Sequence, residues 1–341
     1  MKILLGTCAT AAVIFLLLLF LVLGVYKYDY DNRALQLVEK IIPFPAVYIK
    51  NIGPISISEI KENEQSVKKF YESQDFDQLG MRIDFSTEQG QKRLRIKEKE
   101  IINKLIENKI IETLAEERGI RIDSATIDQE VDSSIAQYGN RQNLMSELAR
   151  LYGWSLEDFK KKVVEPDMAA ERLSNSYYEN LDTGPQEAKI RSLWERVTAK
   201  KEDFSKVAQE SSEGDSSKNG GDLGWSSKSQ LISEIADKAY SMRTGEISSV
   251  IESPLGFHVL KLEEKKSEDG EDMVHLRQIF VKIPTFGDWL KGQMKNCRVF
   301  VFIKGYQWNR EEARIEFSDP DLRRFEENLD ANSQGDPSVF P

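Results

Sequence analysis

The spacing of apolar positions changes along this chain. From Ile3 to Val25 no residue is charged, and ~20 apolar residues suffice to cross the hydrocarbon core of a bilayer. A cleaved signal peptide has a shorter apolar core followed by a small-x-small site. Here the run ends in Leu23-Gly24-Val25, followed by Tyr26, Tyr28 and Tyr30, which suit a membrane–water interface. The pattern favours an uncleaved transmembrane signal-anchor over residues 1–29, with a cleaved signal as the alternative. Cys8 reads as an ordinary buried residue of that anchor. Lys2 precedes the span, whereas Lys27 and Arg33 after it are mixed with Asp29 and Asp31. Positive-inside counting therefore places the N-terminus inside and the rest of the chain outside the cytoplasm.

After Pro43-Phe44-Pro45 the pattern shortens. Ala46 to Ser58 holds β-rich pieces around Asn51-Ile52-Gly53-Pro54 and predicts a small hairpin. Helical spacing then takes over. Ile102, Leu105, Ile106, Ile110, Leu114 and Ala115 share one face, and Gly119 is a stop. Ser124 is the expected cap of a second helix carrying Ile127, Val131, Ile135 and Tyr138. Ser155-Leu156-Glu157-Asp158 reads as a capping box, and Pro166 should kink or interrupt the helix that follows. Apolar residues at helical spacing are usually core, and nothing in residues 30–182 spells catalysis.

Beyond Pro185 the period alternates. Ile190, Leu193, Trp194 and Val197 form a helical face, and a short helix follows from Phe204 with Val207 and Ala208. A Ser/Gly/Asp-rich loop leads into Gly220-Gly-Asp-Leu-Gly-Trp225. A helix then runs to Met242, with strands expected at 247–251 and 256–262. Asp269-Gly270 is a good hairpin turn into His275-Leu-Arg-Gln-Ile-Phe-Val-Lys282. A short helix from Thr285 to Lys295 and a strand from Arg298 to Ile303 come next. Arg314–Phe317 is the expected hairpin partner of that strand. After Ser318 the chain is acidic and its end is expected to be disordered.

Composition narrows the function classes. The chain has 341 residues, 40% hydrophobic and 30% charged, with a net charge of -10. That is enough for two domains with real cores, and a poor match to nucleic-acid binding. Two cysteines and two histidines, widely spaced, make neither a disulfide framework nor a zinc site. No metal or cofactor is expected.

Two resemblances give these patterns meaning. The hairpin, the long helix at 104–122, the capped helix and Trp154-Ser-Leu-Glu-Asp-Phe159 are similar to the N-terminal chaperone domain of SurA-like and PrsA-like bacterial foldases. The likeness covers roughly residues 44–180. Phe204 with Val207-Ala208, Gly-Gly-Asp-Leu-Gly-Trp225, Gln230-Leu231, Thr244-Gly-Glu-Ile-Ser248 and Gly256-Phe-His-Val-Leu260 resemble the parvulin (PpiC, or rotamase) family of peptidyl-prolyl isomerases. That resemblance implies an apolar proline pocket at Leu223, Leu231 and Ile235, joined by Phe257. It implies a histidine at His258, with a hydroxyl near it at Ser253. The family's Cys or Asp falls around Glu213 to Asp215, on Gly214 without a gap, and either acid is a stand-in.

The family's first strand, with its own histidine, should precede Pro185, yet residues 160–178 look helical. A similar strand lies at 275–282. A circularly permuted parvulin domain is therefore expected, with Gln278 at the first histidine's position. His275, three residues away, falls on the opposite face of a strand and should not substitute. By analogy with the SurA-like proteins, the C-terminal hairpin should add to the one at 46–58.

The expected class is α+β. A transmembrane helix at 1–29 precedes a mostly helical chaperone domain at 30–182 and a parvulin domain with a small antiparallel sheet at 183–304. A C-terminal hairpin and acidic, partly disordered tail occupy 305–341. The resemblances imply a single-pass membrane protein whose extracytoplasmic part isomerises X-Pro bonds in unfolded, proline-containing polypeptides. A non-catalytic holdase with a degenerate parvulin domain is the alternative, and a membrane-tethered scaffold is the third reading.

Overall fold

A computed structural model describes residues 42–73, 84–268 and 270–332, with backbone only for 136–138 and 330–332. The predicted anchor and the last residues of the acidic tail lie outside them. Among the described residues no helix is long and apolar enough to cross a membrane. The chain is α+β and divides into two compact units, Tyr177–Phe286 and the remainder.

The first unit opens with the predicted hairpin, β1 (Pro45–Ile49) and β2 (Gly53–Ser56). Asn51 turns it at φ 68°, a left-handed value that asparagine tolerates better than most residues. Helix α1 (Ile57–Ser73) leads to α2 (Glu88–Glu117). The α2 stripe Ile102, Ile106 and Ile110 is fully buried, as its four-residue spacing requires. Thr87 caps its start, and Gly119 at φ 74° ends it.

Helices α3 (Ser124–Tyr138) and α4 (Arg141–Leu151) follow. The cap of α3 is Asp123, not Ser124: its carboxylate accepts both the Thr126 N–H and the Thr126 hydroxyl at 2.8 Å. The Ser155–Asp158 capping box forms as predicted and starts α5 (Leu156–Phe159). A π turn at Lys160–Val164 joins α5 to α6 (Glu165–Glu179). It sits just ahead of Pro166, whose missing N–H and bulky ring exclude a regular α turn.

The second unit begins with the end of α6, then α7 (Gly184–Thr198) and α8 (Phe204–Ser211). Strand β3 (Asp222–Ser227) and helix α9 (Ser233–Ser241) come next. Strands β4 (Ile251–Ser253), β5 (Gly256–Glu268) and β6 (Glu271–Lys282) complete an antiparallel sheet of order β3-β6-β5-β4. The strand expected at 247–251 shrinks to a single bridge, Ile247 to Lys261, ahead of β4. Strand β6 lies inside the sheet, between β3 and β5.

The chain then returns to the first unit through α10 (Phe286–Asn296), β7 (Val299–Val301), β8 (Tyr306–Asn309), β9 (Arg314–Phe317) and α11 (Pro320–Asn332). β7 adds to β1, giving a sheet of order β2-β1-β7. Residues 287–304 therefore pack with the first unit rather than with the segment begun at 183. The partner of Arg314–Phe317 is β8, not the strand at 298–303. Asn103 of α2 holds that hairpin, donating to the Ile315 carbonyl at 3.2 Å and accepting its N–H at 2.6 Å. The acidic tail also starts with a helix that the sequence reading missed. Asp319 turns the chain by accepting the Asp321 N–H at 2.9 Å, Pro320 begins the helix, and Glu326 pairs with the buried Lys99.

Candidate functional site

The sheet of the second unit is covered on both faces, which decides where each predicted residue points. Strand residues alternate between faces. Phe257, Val259, Ile279 and Val281 turn toward α7 and α8, against Ile190, Leu193, Val197, Phe204, Val207 and Ala208. Leu260, Leu262, Val274 and Leu276 turn the other way, against Ile235, Ala239 and Met242. Phe257 is therefore core behind the sheet, not a wall of a pocket with His258. Neighbouring residues on one strand cannot share a face.

His258 and Gln278 lie on the α9 side. In the sheet register His258 faces Phe280, and Leu260 faces Gln278, so His258 and Gln278 are diagonal neighbours. The His258 Nδ1 lies 3.3 Å from the Gln278 Oε1, and its Nε2 lies 2.8 Å from the Ser253 Oγ. Ser253 in turn accepts the Leu255 N–H at 3.1 Å. The Phe280 ring stacks on the imidazole at 4.6 Å between centroids. His258 is only 4% exposed. Burial pushes its pKa below the usual histidine range, partly offset by the Gln278 hydrogen bond and the charge of Glu234. A neutral ring has one donor and one acceptor nitrogen. Gln278 and Ser253 can each give or take a hydrogen bond, so all three groups can be satisfied together.

Leu223 and Leu231 are half-buried at the rim of the same apolar cluster, with Ile235 beneath them. Of the predicted pocket residues, Leu223, Leu231 and Ile235 thus share one face with the histidine. His275 does not. It sits on the opposite face, 2.8 Å from Asp222, with its ring beside Trp225. Asp222 also pairs with Arg277 at 3.0 Å and accepts the Gly224 N–H at 2.9 Å. Burial opposes its ionisation, but His275, that N–H and Arg277 prevail and hold its pKa low. This carboxylate fixes the Gly-rich turn rather than facing the pocket.

The loop acids depart from expectation. Gly214 is the residue beside Gln278: a Cβ there would lie 3.4 Å from the Gln278 amide nitrogen. Glu213 is directed elsewhere, to Lys189 at 2.7 Å and the Lys282 N–H at 2.9 Å. Partial burial opposes its ionisation, but Lys189 and the Lys282 N–H together lower its pKa. Asp215 is exposed at the start of a 3-10 turn. The loop runs along β6, with the Glu213 N–H donating to the Phe280 carbonyl at 2.8 Å and Ser212 accepting the Phe280 N–H at 3.0 Å. These two bonds, one to the Ser212 hydroxyl and one between backbones, turn the 213 side chain away from Gln278. Sequence reasoning missed Ser212 and Phe280. The alternation of Gln278-Ile-Phe280 was the available signal for Phe280, whereas nothing marks a loop serine as the partner of a distant strand.

Gly221 presses the turn onto β6. Its carbonyl accepts the Gln278 N–H at 2.8 Å, its φ is 78°, and an added Cβ would stand 2.2 Å from the Gln278 carbonyl oxygen. Ser248 does comparable work on β5, where its hydroxyl accepts the Leu260 N–H at 2.9 Å.

Residues 173–264 match the rotamase family model, the PPIC-type PPIASE domain. The chain carries a rotamase domain. The matched stretch ends ahead of β6, the strand that bears Gln278. Among relatives, the foldase protein PrsA of Geobacillus sp. (strain WCH70) is 25% identical over 183 residues, covering 50% of this chain and 64% of that protein. The chaperone SurA of Alcanivorax borkumensis is 22% identical over 333 residues, covering 85% and 72%. The chain thus spans slightly less than two thirds of the PrsA relative's length. A crystal structure of the peptidylprolyl isomerase PrsA from Bacillus anthracis aligns over 67% of this chain and 95% of that one. Its identity is 18% and its TM-score 0.20, too low to carry any conclusion on fold.

Proposed function

We propose that this chain is an extracytoplasmic folding factor, held at the membrane by its N-terminal segment, that isomerises X-Pro bonds in unfolded polypeptides. The observation that carries the reading is that a buried His258 and an apolar cluster edged by Leu223 and Leu231 lie on the same face of the sheet. Rotation about an X-Pro bond faces a barrier of ~18–20 kcal/mol and takes tens to hundreds of seconds unaided. Twisting the amide breaks its resonance and makes it less polar. An apolar site favours that twisted state over the solvated planar one and holds the ring while the chain on the other side turns. Neither a covalent intermediate nor a metal is required. His258, Gln278 and Ser253 would tune the hydrogen bonding around the turning amide.

The domain is further proposed to be a circular permutation of the parvulin order. Two observations support this. Helix α6 occupies the chain ahead of Pro185, and β6 enters the sheet beside β5 through a hairpin. Residues 30–182 would then be the region that holds unfolded chains, by likeness to the foldases.

A second reading, a holdase that grips proline segments without turning them, draws support from Gln278 in place of a histidine and from Glu213 being engaged elsewhere. Exchange NMR on proline peptides with the whole chain separates the two. Catalysed cis–trans exchange that disappears in Leu231→Asp supports the isomerase. A folded chain that leaves exchange unchanged yet suppresses aggregation of an unfolded client supports the holdase.

A further inference from the structure

The β2-β1-β7 sheet of the first unit buries one face and leaves the other open. Val47, Ile49 and Ile55 are buried. Tyr48 points outward and pairs across the sheet with Phe300 on one side and Pro54 on the other. The Tyr48 and Phe300 rings lie 6.3 Å apart. Phe302 continues the same line, its N–H donating to the Ala46 carbonyl at 2.9 Å. Tyr48, Phe300 and Phe302 are 39%, 49% and 48% exposed. Three large aromatic side chains along neighbouring strands mark an interaction surface rather than scattered exposure.

Two cations complete the face. The Lys50 N–H donates to the Arg298 carbonyl at 2.9 Å, which sets Lys50 and Arg298 in the cross-strand row beside Tyr48 and Phe300. Both are exposed. In a chain of net charge -10 this is a local patch of the opposite sign. Aromatic rings with Lys and Arg beside them are the composition of a bilayer interface, where the rings sit at headgroup level and the cations meet anionic lipid. A second copy fits poorly, because a two-fold dimer is self-complementary and would set this basic row close to itself.

Chain length points the same way. The predicted span ends at Val25 and the sheet begins within a few residues of Ile42. At ~3.3–3.6 Å per residue the intervening chain reaches at most about 60 Å. The sheet is thus confined near the bilayer, where even a weak surface affinity is amplified by tethering.

We propose that this outward face, built on Tyr48, Phe300 and Phe302 with Lys50 and Arg298 beside them, docks on the anionic surface of the membrane that anchors the chain. The inference rests on the anchored reading proposed above.

The test uses the whole chain carrying Phe300→Trp, reconstituted in phosphatidylcholine vesicles with or without phosphatidylglycerol and with lipids brominated near the headgroup end. Emission is compared with that of the unsubstituted chain. The expected result is added emission that is blue-shifted and lost to the brominated lipid in the anionic vesicles. The same emission should escape quenching when Lys50→Glu and Arg298→Glu are added. A chain that floats with the vesicles while the added emission stays unquenched and water-like overturns the docking and leaves the anchor standing. A chain that does not float overturns both. A blue shift produced instead by an unfolded polypeptide in detergent, with no quenching on vesicles, overturns the lipid assignment in favour of a client.

Discussion

The Gln278 Oε1 lies 3.3 Å from the His258 Nδ1, on neighbouring strands. This amide–imidazole pair stands where the parvulin resemblance implies two histidines. Gln278→Leu removes the partner and leaves a buried ring nitrogen unsatisfied, a cost of about 1–3 kcal/mol. If the pair supports turnover, Gln278→Leu lowers cis–trans exchange, and Gln278→His at least preserves it. Exchange NMR alongside urea unfolding separates the two effects. Unchanged exchange in a stable Gln278→Leu variant would remove Gln278 from the site.

Acid should weaken the fold through His258. Its folded pKa is lowered, chiefly by burial, so the folded ring resists protonation. The unfolded ring takes up its proton near pH ~6.5. Below that pH the unfolded state binds more protons, and stability falls as pH drops toward the lowered folded value. The contribution is fully present above that window. Urea midpoints at about pH 7.5 and about pH 5 should differ, and His258→Asn should flatten the difference, since Asn does not titrate. A slope that survives the substitution would assign the effect to other groups.

The legible parts were those set by local chemistry. The Ser155–Asp158 box, the stripe from Ile102 to Ile110 and the hairpin at Asn51 each depend on residues a few positions apart. Strand alternation also placed His275 opposite Gln278. The same rule, applied to His258, would have excluded Phe257, which family likeness brought in. Glu213 and the partner of β9 were not legible because long-range backbone pairing decides both. The loop's bonds to Phe280 turn Glu213 toward Lys189, and the sheet edge at β1 draws β7 away from β9.

Gly221→Ala tests how the glycine turn seats the site. The substitution combines a φ of 78° with a Cβ 2.2 Å from the Gln278 carbonyl oxygen. Neither backbone can yield without opening the β3–β6 pairing. A loss above about 3 kcal/mol is expected, with faster amide hydrogen exchange at Gln278. Gly270→Ala, also at positive φ but with open space around it, should cost only about 1 kcal/mol. Equal losses at the two positions would show that close packing on Gln278 adds nothing.

The two faces of the sheet make opposite predictions for two apolar residues. Phe257 is 4% exposed among the side chains of α7 and α8, so Phe257→Ala should cost about 3–5 kcal/mol. What remains folded should still turn over proline peptides at the unsubstituted rate per folded molecule, because the side chain packs on the face opposite His258. Leu231 sits half-buried at the rim of the other face. Leu231→Asp should cost far less, about 1 kcal/mol, since its carboxylate can reach water. It should nevertheless abolish exchange, because a charge at the rim removes the apolar surface that favours the twisted amide. Folded fraction from urea unfolding and exchange rate on the same samples give both numbers. A Leu231→Asp variant with full activity would take the proline pocket off this face. Loss of specific activity in Phe257→Ala would mean that the core behind the sheet also shapes the site in front of it.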